Sequence, residues 1–394
     1  MAGMMLVPER STVTAPAMLT RVPGAAGKCA RGRITRLIRR SVGPIALLCI
    51  IGGCATVPSV ALDESQSLVM VPISQTNVID RRALFRNLFC AVLEARTAED
   101  GRDATCDEVL VRLSDEAPRI DNPVALGESA QSVTALFIAG LGSDCIDQAS
   151  QARGQFKDHL ARFGYDFKTL SVSGTSSSAY NARHIRDSLL KMSRSGEPHK
   201  LVIIGHSKGV VDTLEAIVTY PEIQSRISAV VSLAGAVGGS PLADKAPEAA
   251  MSITQNIPGL QCKDGDAGAL LSLRPSVRRA WLAQHRLPKG IALYTVVTLP
   301  EPERISAGLK PTYSILSEFD PRNDGNLLFY DQVIPGSTLL GYANADHWAI
   351  AADLGASPYA LIRSLADRSD FPREELIEAV LRFVELDLQP ATID

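Results

Sequence analysis

From Val133 onward, short apolar runs alternate with longer stretches in which apolar residues recur at helical spacing. Val133–Ala139, Leu201–Ile204, Ile227–Ala234 and Ile291–Val297 are near-continuous apolar segments and read as strands. Asp166–Val172, Thr312–Leu316 and Ser337–Tyr342 also read as extended. Gln151–Phe163, Tyr180–Ser193 and Val210–Tyr220 read as helices, the last ended by Pro221. This alternation predicts an α/β fold, a mostly parallel sheet with helices on both faces. Ligands in such a sheet bind beyond the carboxyl ends of the strands. The rhythm breaks between Gly238 and Pro288, where Gly238-Gly239-Ser240-Pro241 is followed by an amphipathic piece around Leu270–Trp281. Upstream, residues 62–130 mix strand-like and helical pieces. Ile79–Ala95 is amphipathic and Pro118–Gly127 a loop, and the pattern leaves open whether this part extends the sheet edge or packs beside it.

One turn in this pattern carries chemistry. Gly205-His206-Ser207-Lys208-Gly209 joins the Leu201–Ile204 strand to the Val210–Tyr220 helix. A serine hydroxyl is a poor nucleophile at neutral pH unless it is held exposed beside a base. A tight strand-to-helix turn does the holding. It strains the serine backbone and brings strand and helix so close that a Cβ at either glycine would collide. The Lys208 N–H, at the helix start, then points at the oxygen on which negative charge develops. A bare G-x-S-x-G is also met in ordinary solvated turns; the flanking elements weigh against that reading. The motif and its setting resemble the nucleophile elbow of the α/β-hydrolase superfamily.

The resemblance covers roughly Val133 to Leu386 and implies a triad in the chain order Ser, acid, His. Of the six histidines only His285 and His347 follow Ser207. His285 comes too early to leave room for an acid, whereas His347, just past Ser337–Tyr342, stands where the fold presents its base. Asp320, Asp324 and Asp331 lie upstream of it. Asn323-Asp324-Gly325 reads as a tight turn and resembles the turn that carries the acid in many bacterial lipases, so Asp324 is chosen. Asp320 is the reserve and Asp331 a distant third. Asp346, adjacent to the base, is expected to point elsewhere. The second oxyanion donor is expected from the turn after an earlier strand, Gly140-Leu141-Gly142-Ser143, and is assigned to the Leu141 N–H alongside that of Lys208. Where the family often has His-Gly, this chain has Ala139-Gly140, which matters little if a backbone amide does the work. The insertion at 238–288 falls where the superfamily often carries a lid.

The N-terminus reads as targeting sequence. Arg31, Arg33, Arg36, Arg39 and Arg40 precede the apolar run Ile45–Ile51, which falls well short of the roughly 20 residues that span a bilayer. It fits the core of a secretory signal. Ile51-Gly52-Gly53-Cys54 resembles a bacterial lipobox, which implies a signal over residues 1–53, lipidation of Cys54 and a tether over Cys54–Ala61. Residues 54–130 are thus tether and N-terminal extension, and 131–390 the hydrolase domain. By the same resemblance the protein is an envelope lipoprotein facing the periplasm, with Ala55 favouring the outer membrane; secretion is the alternative.

Composition adds bounds. Hydrophobic residues make up 46% of the chain, enough for a sizeable core, and the net charge of −3 gives no electrostatic case for nucleic acid. Beyond the signal and Cys54 remain Cys90, Cys106, Cys145 and Cys262. None has metal-ligand spacing, and in an oxidising compartment they permit two disulfides in any of three pairings. The expectation is a cofactor-independent serine hydrolase of acyl-lipid or small acyl esters. A transacylase or thioesterase on the same triad is one alternative. A catalytically silent envelope binding module is the other, against which the retention of all three triad residue types argues.

Overall fold

The computed structural model describes residues 77–389, apart from 101–103, 114, 119–123, 130–131, 146–153, 193–199 and 248–261. The signal segment, Cys54 and the tether lie outside the described residues. In chain order the elements are β1 (Ile79–Asp80), α1 (Arg82–Asp100), α2 (Cys106–Val109), β2 (Leu110–Val111), β3 (Val133–Ile138), α3 (Gly154–Ala161), β4 (Asp166–Thr169), α4 (Ser178–Lys191), β5 (Lys200–His206) and α5 (Lys208–Thr219). Then follow β6 (Ala229–Leu233), α6 (Pro241–Lys245), α7 (Ala269–Ser272), α8 (Pro275–Gln284), β7 (Ala292–Thr298), α9 (Lys310–Ser317), β8 (Thr338–Ala343), α10 (Ala360–Leu365) and α11 (Arg373–Asp387).

The sheet runs β1-β8-β7-β6-β5-β3-β4, all parallel, with β2 antiparallel on β8. Every residue of β3, β6 and β8 is buried, as central parallel strands covered on both faces require. Side chains alternate between two cores. Val202 and Ile204 of β5 join Phe85 and Phe89 of α1, Phe156 of α3 and Val380 of α11 on one face. Leu201 and Ile203 join Ile185 and Leu189 of α4 and Leu214 and Ile217 of α5 on the other.

The upstream extension both adds to the sheet edge and packs beside it. β1 pairs with Thr338 and Leu339 of β8, β2 with Tyr342 and Ala343 further along the same strand. α1 lies on α11 through Phe85 and Phe383, whose ring centroids are 6.0 Å apart, and through a buried Arg96–Glu378 ion pair at 2.8 Å.

Thr312–Leu316, expected to be extended, belongs instead to helix α9. Its Thr, Tyr and Ile suggest a strand. But Pro311 falls in the first helical turn, where its fixed φ and missing N–H do no harm. The buried residues, Tyr313 and Leu316, are three apart, the helical spacing.

Of the expected insertion, residues 248–261 are not described; α6, α7 and α8 are. The cysteines pair as Cys90–Cys106 and Cys145–Cys262. The second bond pins the start of the 262–272 segment to the turn after β3. Beside it the Lys263 N–H donates to Asp144 Oδ2 at 2.8 Å and the Ser177 N–H to Asp266 Oδ1 at 2.7 Å. The Ala269 N–H reaches Thr175 O at 3.1 Å. This part of the insertion is therefore docked on the serine-rich loop 171–178.

Candidate active site

β5 ends in a turn that α5 enters at once, and Ser207 sits there with φ 55° and ψ −125°. A β-carbon disfavours positive φ, so the conformation must be held by its surroundings. The Ser207 N–H donates to Leu233 O at 3.2 Å, and Ser207 O accepts from the N–H groups of Val210 at 3.2 Å and Ala236 at 3.1 Å. The flanking glycines are required as expected. A Cβ on Gly205 would stand 2.9 Å from Val210 Cα, and one on Gly209 only 2.2 Å from Ile138 O.

His347 lies four residues past β8, and the structure brings it to Ser207. Its Nε2 is 2.8 Å from Ser207 Oγ and its Nδ1 2.8 Å from Asp324 Oδ2. All three residues are buried. Asp324 occupies the middle of the Asn-Asp-Gly turn. Gly325 has φ +90° and donates its N–H to Asn323 Oδ1 at 3.0 Å. Asp324 Oδ1 accepts from the N–H groups of Asn326 at 2.9 Å and Leu327 at 2.7 Å. Its Oδ2 accepts from the Thr298 hydroxyl at 2.6 Å and, more weakly, from Gln332 Nε2 at 3.4 Å. Burial pushes the carboxyl's pKa up. Electrostatic attraction to His347 and the hydrogen bonds from His347, Thr298 and the Asn326 N–H outweigh it, so the pKa lies below the ordinary value. An ionised Asp324 only accepts. His347 Nδ1 therefore carries the proton, and Nε2 accepts from the serine hydroxyl.

None of the other candidate carboxylates is hydrogen-bonded to His347. Asp320 binds the Arg322 guanidinium with both oxygens, at 2.9 and 2.5 Å. Asp331 is buried against Gly238, where a Cβ would come 2.3 Å from its Oδ1; burial lifts its pKa to about 6, with Arg279 opposing weakly. Asp346 turns away from the imidazole, as expected, to accept from the N–H groups of Ser306, Trp348 and Ala349. Burial raises its pKa in spite of those bonds. His285 stays at the end of α8, bonding Trp281 O at 2.8 Å.

Gly140 lies directly against Ser207. A Cβ there would stand 2.6 Å from Ser207 Cβ and 3.0 Å from both Ser207 Oγ and the Lys208 nitrogen. The peptide leading to Leu141 thus starts beside the serine, and the Lys208 N–H, first in α5, has no carbonyl one turn back to bind.

Several residues at the site went unassigned in the sequence. His206 Nε2–H donates to His347 O at 2.9 Å, so the residue before the serine holds the backbone of His347. Its place beside Ser207 was the available signal. Thr298 and Gln332, which surround Asp324, offered none.

Comparison with solved structures adds a relative. A metagenomic carboxyl esterase is 35% identical to this chain, with a TM-score of 0.74, over 82% of this chain and 98% of that one. The chain belongs to the α/β-hydrolase superfamily, in the family of that esterase. Looser likenesses to this α/β-hydrolase include the mature form of a Bacillus licheniformis lipase, at 21% identity and TM-score 0.41, over 57% of this chain and 89% of that one. Another is a thioesterase from the prodiginine pathway of Streptomyces coelicolor, at 13% and 0.32, over 75% and 95%. The assignment rests on the first alone. No family model and no curated protein matches the chain.

Proposed function

We propose that this α/β-hydrolase cleaves carboxylic esters through an acyl-enzyme. Ser207 Oγ attacks the carbonyl carbon while His347 Nε2 takes its proton. Asp324 fixes the tautomer of His347 and offsets the charge of the imidazolium. The N–H groups of Leu141 and Lys208 receive the oxyanion. His347 then gives its proton to the leaving alcohol. Water, deprotonated by the same nitrogen, releases the acid from Ser207. The reaction as written needs no cofactor. The observation that carries this reading is the line of two 2.8 Å hydrogen bonds from Ser207 through His347 to Asp324. The family relationship to a carboxyl esterase supports it.

The substrates in this reading are acyl-lipid or small acyl esters. The lipase-like acid turn and a membrane tether at Cys54 favour the former. A lipidated Cys54 would hold the enzyme on the periplasmic side of the bacterial envelope. A fluorophosphonate probe tests the chemistry. It should label Ser207, and Ser207→Ala should lose labelling together with about 10³-fold or more of p-nitrophenyl ester turnover. An unlabelled wild type, or an unchanged rate in the variant, would overturn the proposal.

A further inference from the structure

The two oxyanion donors in this reading belong to different chain segments, the elbow at Lys208 and the turn Gly140–Ser143. Donors of this kind act only if held within roughly 0.5 Å of their places. A buried chain of polar contacts joins the two segments. Lys208 is fully buried, and its Nζ donates to both oxygens of Asp212 at 2.6 and 2.9 Å. Asp212 Oδ2 also accepts from Asn181 Nδ2 at 2.7 Å. Asn181 clamps Ser173, accepting its N–H at 3.1 Å and donating to its carbonyl at 2.8 Å. The next residue, Gly174, accepts the Gly142 N–H at 3.2 Å and donates to Asp144 Oδ1 at 2.7 Å. Gly140, at the start of that turn, packs on Ser207. The path closes on itself around the nucleophile.

We infer that the Lys208 side chain, Asp212 and Asn181 are positioning residues that hold the two oxyanion-donating segments in register. This rests on the ester-hydrolase reading. An ammonium and a carboxylate taken out of water bear a desolvation cost that apolar residues of similar volume avoid. What the pair adds is direction. The bonds from Nζ, made within α5, fix the direction of the Asp212 carboxylate, and the bond from Asn181 to its Oδ2 then holds α5 against α4 and the 171–177 loop more narrowly than apolar contact does. Asp212 and Asn181 touch neither the serine nor the imidazole, so they act through the backbone they hold.

The test uses two variants that leave no buried charge without its partner. Lys208→Met/Asp212→Leu removes the ion pair as a unit, and Asn181→Ala cuts the clamp from the other side. Each should lower kcat about 10- to 100-fold with KM within about twofold. Each should lose affinity for a trifluoromethyl ketone, which forms a tetrahedral adduct on the serine, in the same proportion as kcat/KM. A purely structural role would move the melting temperature and leave those two losses unmatched. Wild-type kcat in a folded variant, or a kcat loss without the matching loss of ketone affinity, overturns the inference. A wild type that a fluorophosphonate does not label overturns the hydrolase reading, and this one with it. A labelled wild type and an inactive Ser207→Ala, beside network variants at full rate, overturn this inference alone.

Discussion

Asp324→Asn isolates what the carboxylate does, because the shape of the side chain is kept. The surroundings decide which way the new amide turns. The Oδ1 position faces two backbone donors, the N–H groups of Asn326 and Leu327 at 2.9 and 2.7 Å. These cannot rotate. The Oδ2 position faces the Thr298 hydroxyl, which can turn its proton to Gln332 Oε1, 2.9 Å away, and then accept. The amide nitrogen therefore takes the Oδ2 position and donates to His347 Nδ1. That forces the imidazole proton onto Nε2, where it points at Ser207 and removes the base. Restoring the productive tautomer means turning the amide nitrogen toward two fixed donors. At about 1–3 kcal/mol for each buried group left unsatisfied, the cost is about 2–6 kcal/mol, or from about 30-fold to just over about 10⁴-fold in the active population. The equivalent change in serine-protease triads costs about 10⁴-fold in kcat. Steady-state hydrolysis of a p-nitrophenyl ester should show that loss in kcat with KM nearly unchanged, and a thermal melt should show a folded variant. Asp320→Asn, whose carboxylate serves Arg322, should change kcat by less than about threefold. A folded Asp324→Asn enzyme within tenfold of the wild-type rate, or an Asp320→Asn enzyme that loses more, would show that the orienting carboxylate is misassigned.

Further tests address other parts of the molecule. Gly140→Ala places a methyl group 2.6 Å from Ser207 Cβ; kcat should fall at least about 100-fold, and near-normal turnover would mean the turn tolerates displacement. Asp331 has a folded pKa of about 6, above the ordinary carboxylate value. Its contribution to stability is therefore complete below pH ~4 and lost as pH rises through about 6, at a cost of up to about 3 kcal/mol. Asp331→Asn escapes that loss, so its melting temperature relative to wild type should climb between pH 4.5 and 8; a constant gap across that range would contradict it. In a bacterial host, Cys54 should incorporate labelled palmitate and Cys54→Ser should not. Mass spectrometry showing an unmodified mature terminus at any other residue would dismiss the lipobox.

The parts that could be read in the sequence share a physical basis. Leu201–Ile204 is apolar without a break, as a strand buried on both faces must be, and chain order then singled out His347. Asp324 was reachable because Asn-Asp-Gly has few uses other than a tight turn. Helix α9 was misread because three of its residues favour strands, while the evidence for a helix, Pro311 in the first turn and burial at Tyr313 and Leu316, depends on knowing which face is covered. The two-residue strands β1 and β2 are too short to show any period. Lys208 and Asp212, four apart on α5, have the spacing of a surface ion pair. Only the packing of α4 across them reveals that they are buried. Disulfide pairing had no local signal at all, since separations of 16 and 117 residues reflect the path of the chain.

That path has a consequence of its own. The Cys145–Cys262 bond spans 117 residues and closes a covalent ring that contains Ser207 but neither Asp324 nor His347. A protease nick anywhere inside the ring leaves both halves of the cut chain tied together, with Ser207 still covalently joined to Asp324 and His347. A single nick between 262 and 324 does the opposite. It separates covalently a C-terminal fragment bearing Asp324 and His347, which is then held to the remainder by noncovalent contacts alone: β8 in the sheet, and α11 on α1 through the Phe85 and Phe383 rings and the Arg96–Glu378 ion pair. Where the oxidised chain is cut therefore decides whether dilution can part Ser207 from Asp324 and His347.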